Sequence, residues 1–101
     1  MLAEALKVAK NADVIVACLG ELADMSGESS ARADLTMPDA EARLLKALVR
    51  TGKPVVLLNF AGRPTVLSWE NDNAAAIMNV WFAGSETGDA ICDMLFGDKV
   101  P

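Results

Sequence analysis

Three apolar runs set the frame of this 101-residue chain: Val14 to Leu19, Val55 to Phe60 and Ala75 to Trp81. None alternates cleanly between apolar and polar residues, so each predicts a strand covered on both faces, as in a parallel sheet. Around them the apolar spacing changes to that of helices. Leu2, Ala5, Leu6 and Ala9 form one stripe that ends near Lys10 and Asn11. A second helix is predicted from Pro38, which suits a first helical turn. Asp39 and Glu41 favour the positive end of its dipole, and Leu44, Leu45, Leu48 and Val49 make its buried stripe. Gly52 then caps it, and Pro54 prevents continuation. Ser68 to Glu70 predicts a short turn or helix. A last helix runs from about Ser85 to Phe96, burying Ile91, Met94 and Leu95, and Gly97 stops it.

Helices alternating with strands predict an α/β domain with a mostly parallel sheet and right-handed crossovers: a three-layer αβα sandwich of the flavodoxin-like kind. Three strands are few for such a sheet, and the chain opens on a helix, so a truncated piece of a larger domain is expected. The sheet edge then lacks a neighbour and invites self-association into a homo-oligomer.

The link from residue 20 to 37 breaks the pattern. Connections from strand to helix in such units usually take about 2–6 residues. This one leaves the carboxyl end of a parallel strand, where open α/β sheets place their sites. It carries Glu21, Asp24, Glu28, Arg32 and Asp34.

Composition narrows what that loop can do. Hydrophobic residues make up 52% and charged residues 23%, which fits a globular domain. The net charge of −5 argues against nucleic acid or an anionic membrane surface as partner. No apolar run reaches the ~18 residues of a membrane span, and the first residues lack the charged-then-apolar layout expected of a signal peptide. The chain has no histidine and two cysteines, Cys18 and Cys92, so zinc is not expected. Both thiols are expected to be buried and inert.

Gly27-Glu28-Ser29-Ser30-Ala31 comes close to the G-x-S-x-G elbow of esterases. The elbow places its serine on a sharp turn at the strand end, whereas Ser29 lies ten residues beyond Leu19. Its fifth position is alanine, and no histidine is present to act as the usual base. A serine hydrolase is therefore excluded. Gly84-Ser85-Glu86-Thr87-Gly88 joins a strand to a helix, but no lysine accompanies it, and Glu86 and Asp89 repel phosphate. Residues 24 to 34 lack the regular oxygen spacing of a calcium loop. From spacing alone Glu28 is either a solvated loop carboxylate or a functional acid. Arg63, in Gly62-Arg63-Pro64 after the second strand, is either a surface cation or part of a polar site.

In order, "NADVIVACLGE", "GESSARADLTMP", "LLKALVRTGKPVVLLNFAGRPTVL" and "AIMNVWFAGSETGDAICDMLFGD" resemble the C-terminal α/β sandwich domain of glycoside hydrolase family 3, nearest its bacterial periplasmic β-glucosidase type. The resemblance covers essentially the whole chain. It implies that residues 1–101 are part of a single domain of a retaining β-glycosidase, a β-glucosidase-like enzyme that is periplasmic or secreted and needs no cofactor or metal. An N-terminal (β/α)8 barrel domain, absent here, supplies the aspartate nucleophile and most of the carbohydrate contacts. Glu28 falls at the position of the general acid/base. Arg32 and Asp34 form the family's Arg-x-Asp neighbourhood, and Arg63 joins them as a substrate-binding candidate.

Retaining glycosidases hold their two carboxyl groups about 5–5.5 Å apart. A second domain can place its acid at that distance only through a loop that crosses the interface. Burial there raises the acid's pKa so that a proton is available to the leaving oxygen. Trp81 is expected in the core or the domain interface rather than facing sugar. The isolated chain is expected to be inactive. The other class that fits these residues is a non-enzymatic α/β domain that binds a ligand or a protein.

Overall fold

The computed structural model describes residues 1–27 and 31–101. Helix α1 spans Leu2–Ala9, strand β1 Ile15–Gly20, helix α2 Asp39–Val49, strand β2 Val55–Phe60, helix α3 Ser68–Asn73, strand β3 Ala76–Asn79 and helix α4 Thr87–Leu95. A single turn of 3-10 helix, Ala23–Met25, lies in the long link. The strands form one parallel sheet in the order β1-β2-β3, with Ile15 opposite Val55 and Leu57 opposite Ile77. Parallel neighbours need crossovers, and α2 and α3 supply them.

In-register residues point to the same face, so Ile15, Ala17, Leu19, Val55, Leu57 and Ile77 share one side. Against that side pack Leu6 and Ala9 of α1 and Leu45 and Leu48 of α2, joined by Trp69 of α3. Leu45 and Leu57 are wholly buried. Helix α2 forms there because its apolar residues recur every three or four positions and acids occupy its first turn. Gly52, with φ +82°, then reverses the chain, a conformation that glycine adopts without a Cβ clash.

On the opposite face α4 borders the β3 side, with Ala90, Ile91 and Met94 beside Met78 and Val80, and Val16 and Cys18 of β1 stay exposed. This gives the layers helix, sheet, helix expected from the sequence. No helix among the described residues is long and apolar enough to cross a membrane.

Several local expectations change. Strand β3 is four residues, not seven, because the chain turns away after Asn79 and Trp81 takes a positive φ of 62°. Ile91, Met94 and Leu95 are half-buried rather than buried. Both cysteines are exposed. From Val14 through β1 to Leu19 exposure alternates, with Val14, Val16 and Cys18 facing out while Ile15, Ala17 and Leu19 face the core. An apolar run shows that a strand is fit for burial on two faces; it does not show which face this chain covers.

Candidate active-site loop at the carboxyl edge of the sheet

All three strands end on one edge, and the link from β1 to α2 begins there. Gly20 closes β1 with φ +147°, packed so tightly on β2 that a Cβ would overlap the Phe60 backbone. That approach lets the Glu21 N–H donate to the Phe60 carbonyl at 2.7 Å. The Gly20 N–H in turn donates to the Glu41 carboxylate in the first turn of α2. Glu21 is thereby fixed at the strand end with its side chain only 3% exposed.

A buried carboxylate is costly unless it is paired and hydrogen-bonded. Two arginines from distant parts of the chain converge on it. Arg32 Nη1 donates to Glu21 Oε2 at 3.1 Å. Arg63 Nε lies 3.3 Å from the same oxygen, close enough for an ion pair although its N–H is not aimed along the hydrogen-bond direction. Each guanidinium also holds backbone: Arg32 Nη2 donates to the Thr36 carbonyl at 3.2 Å, and Arg63 Nη2 donates to the Met25 carbonyl. Glu21 Oε1 is buried without a partner among the described residues.

Further ties join this link to the segment after β2. Thr36 and Val66 form a parallel bridge, and the Val66 N–H donates to the Leu35 carbonyl at 2.8 Å. Gly62 lies under the Ser26 side chain and the Phe82 ring, leaving no room there for a Cβ. Asp34 accepts from the Thr36 N–H at 2.9 Å and from the Thr36 hydroxyl at 2.6 Å. These bonds, the hydroxyl's first, hold the exposed Asp34 carboxyl below the usual carboxylate range, helped by the Arg32 charge.

Of the four site residues expected from the sequence, Arg32 and Arg63 meet on Glu21, and Asp34 caps a turn beside them. Glu28 lies outside the described residues. Glu21, the hub, was not among those four. Its signal in the sequence is its place directly after a strand buried at its end, where an acid needs cationic partners. Trp81 is not core: it is 45% exposed and stands beside Phe82, itself 44% exposed.

The fold and this loop define an α/β sandwich domain with a charged arm at the carboxyl edge of its sheet. The chain belongs to the glycosyl hydrolase family 3 C-terminal domain family, whose model matches residues 1–101. It is 48% identical over its full length to a periplasmic beta-glucosidase of Salmonella typhimurium, of which it spans 13%. It is 36% identical over 98 residues to a beta-xylosidase of Formosa agariphila, spanning 14% of that protein. The crystal structure of beta-glucosidase from Listeria innocua in complex with gluconolactone superposes with a TM-score of 0.90 at 33% identity. That match covers 96% of this chain and 13% of the Listeria chain.

Proposed function

We propose that this chain serves a retaining β-glycosidase, of the β-glucosidase kind, that removes terminal β-linked sugars. The observation that carries the reading is the full-length match at 48% identity to a periplasmic beta-glucosidase. That likeness also supports a periplasmic setting for the enzyme. In this reading residues 1–101 are part of the C-terminal domain, and a (β/α)8 barrel elsewhere in the protein supplies the nucleophile and most of the sugar pocket. The chain alone does not turn over substrate, and the chemistry needs no cofactor.

Glu28 is the proposed general acid/base. It lies in the link that Arg63 and Arg32 tie down on either side, at Met25 and at Thr36. Glu28 protonates the leaving oxygen as the glycosyl–enzyme bond forms, then deprotonates the water that cleaves it. Arg32, Asp34 and Arg63 contribute polar contacts to the substrate: the guanidiniums retain N–H donors after pairing with Glu21, and Asp34 is an exposed acceptor. Self-association of the chain occurs along the open edge of β1.

Glu28→Gln in the full-length enzyme tests the acid. Hydrolysis of cellobiose, a poor leaving group, falls by about 10²–10⁴, while an aryl glucoside with an activated leaving group keeps more of its rate. Full activity on cellobiose overturns the assignment.

A further inference from the structure

We infer that Glu21 is a positioning residue for the catalytic loop: a buried anion that locks both flanks of the segment carrying Glu28 to the sheet edge. The inference rests on the reading of Glu28 as the acid. It names a residue to which neither the family resemblance nor the loop's sequence assigned a role.

Glu21 is unsuited to touching substrate. Its side chain is 3% exposed, and one oxygen is engaged by both guanidiniums. Its own backbone is fixed by the bond from its N–H to Phe60 and by the tight Gly20 contact beneath it. The carboxylate is therefore a rigid anchor on the sheet, and the arginines are the arms that leave it. Arg63 reaches from the segment after β2 to the Met25 carbonyl, on the near flank of residues 26–31. Arg32 is itself on the far flank and reaches on to the Thr36 carbonyl. Both flanks refer to one oxygen, so a displacement of Glu21 moves both together.

Such a brace suits the chemistry. An acid brought from one domain to a nucleophile on another must meet a separation of about 5–5.5 Å, and a misplacement of about 1 Å can cost about 10²-fold in rate. Burial keeps the pairing from being screened by salt, and two partners offset the cost of placing the charge there.

The test uses the full-length enzyme carrying Glu21→Gln, Glu21→Asp or Glu28→Gln, with kcat/KM measured on cellobiose and on an aryl glucoside with an activated leaving group. Glu21→Gln keeps the side chain's shape and removes its charge. It is expected to lower kcat/KM on cellobiose by about 10–100-fold and to spare the activated substrate, for which proton donation matters little. Glu21→Asp, which restores the charge, recovers part of the loss. A merely structural role lowers both substrates equally, and that result, or no loss at all, overturns the inference. If Glu21→Gln does not fold, Glu21→Asp, which keeps the charge but falls one methylene short of the arginines, is compared with the parent enzyme instead. The same selective loss is then expected, and an equal loss on both substrates refutes it. Failure of the acid assignment is seen separately: Glu28→Gln then spares cellobiose, and the inference falls with it. A selective Glu28→Gln beside a non-selective Glu21→Gln removes the inference alone.

Discussion

Replacing Gly20 by alanine isolates the contact on which the whole site stands. The Cβ would fall on the carbonyl oxygen, carbonyl carbon and nitrogen of Phe60, all backbone atoms that cannot rotate away. Relief requires the ends of β1 and β2 to separate, which breaks the 2.7 Å bond from the Glu21 N–H to the Phe60 carbonyl. Leaving that buried pair unmade costs about 1–3 kcal/mol. Holding alanine at φ +147° costs about 1–3 kcal/mol more. The stiffer unfolded chain returns about 0.4–1 kcal/mol, so the net loss is about 1–6 kcal/mol.

Gly84→Ala is the matched control. Nothing lies within 4 Å of a Cβ built at Gly84, and its φ is not in the left-handed region. Its effect stays within about 1 kcal/mol in either direction. Urea unfolding of both variants and the parent chain, followed by tryptophan fluorescence, gives the comparison, provided the slopes agree. If the midpoint of Gly20→Ala coincides with that of Gly84→Ala, the collision does not govern this corner and the argument is wrong.

Two further outcomes are expected. Thr36→Val removes the hydroxyl that donates to Asp34 at 2.6 Å, so the Asp34 carboxyl titrates nearer its ordinary value in an NMR pH series. Because that pKa is depressed in the folded state, the stabilisation is present above the ordinary carboxylate pKa and is lost as pH falls through the folded value. In Thr36→Val that contribution is therefore smaller and its loss is complete at a higher pH, and an unmoved titration refutes the cause. Strand β1 is an edge of the sheet, with Val14, Val16 and Cys18 exposed beside it. The chain should therefore self-associate with rising concentration in sedimentation, and Val16→Lys should weaken this; a monomer at all concentrations overturns it.

The layer order was legible because periodicity reports it directly. Continuous runs gave the parallel strands, and the stripe from Leu44 to Val49 gave α2 with its acids and its stop at Gly52. Burial of particular faces was less legible. Cys18 belongs to an apolar run, yet it shares the outward face of β1 with Val14 and Val16. Ile91, Met94 and Leu95 make a proper stripe, but α4 meets the sheet only along β3 and leaves them half-buried. The loop's importance was visible from its length and its place after a strand. Its hub was not, because Glu21, Arg32 and Arg63 are separated along the chain and only the β1–β2 pairing brings positions 21 and 63 to one edge.

That separation explains why charge, rather than apolar packing, holds the loop. Each ordered residue costs about 1–2 kcal/mol of backbone entropy, and a link this long needs anchors along its length. Among the described residues from Glu21 to Met37, only those two are buried. Met37 joins the core beside α2 and secures the far end. Between them Leu22, Asp24, Gly27, Ala31, Asp34 and Leu35 are exposed, and the half-buried ones are Met25, Ser26 and Arg32. Met25 and Arg32 are the points that the Glu21–arginine network grips, and Ser26 rests on Gly62 beside it. A segment offering polar groups to a neighbouring domain has little apolar surface to bury beneath itself. Long guanidinium side chains instead reach back from two directions to one desolvated carboxylate. Since that carboxylate is shielded from solvent, added salt loosens the loop far less than it loosens an exposed ion pair.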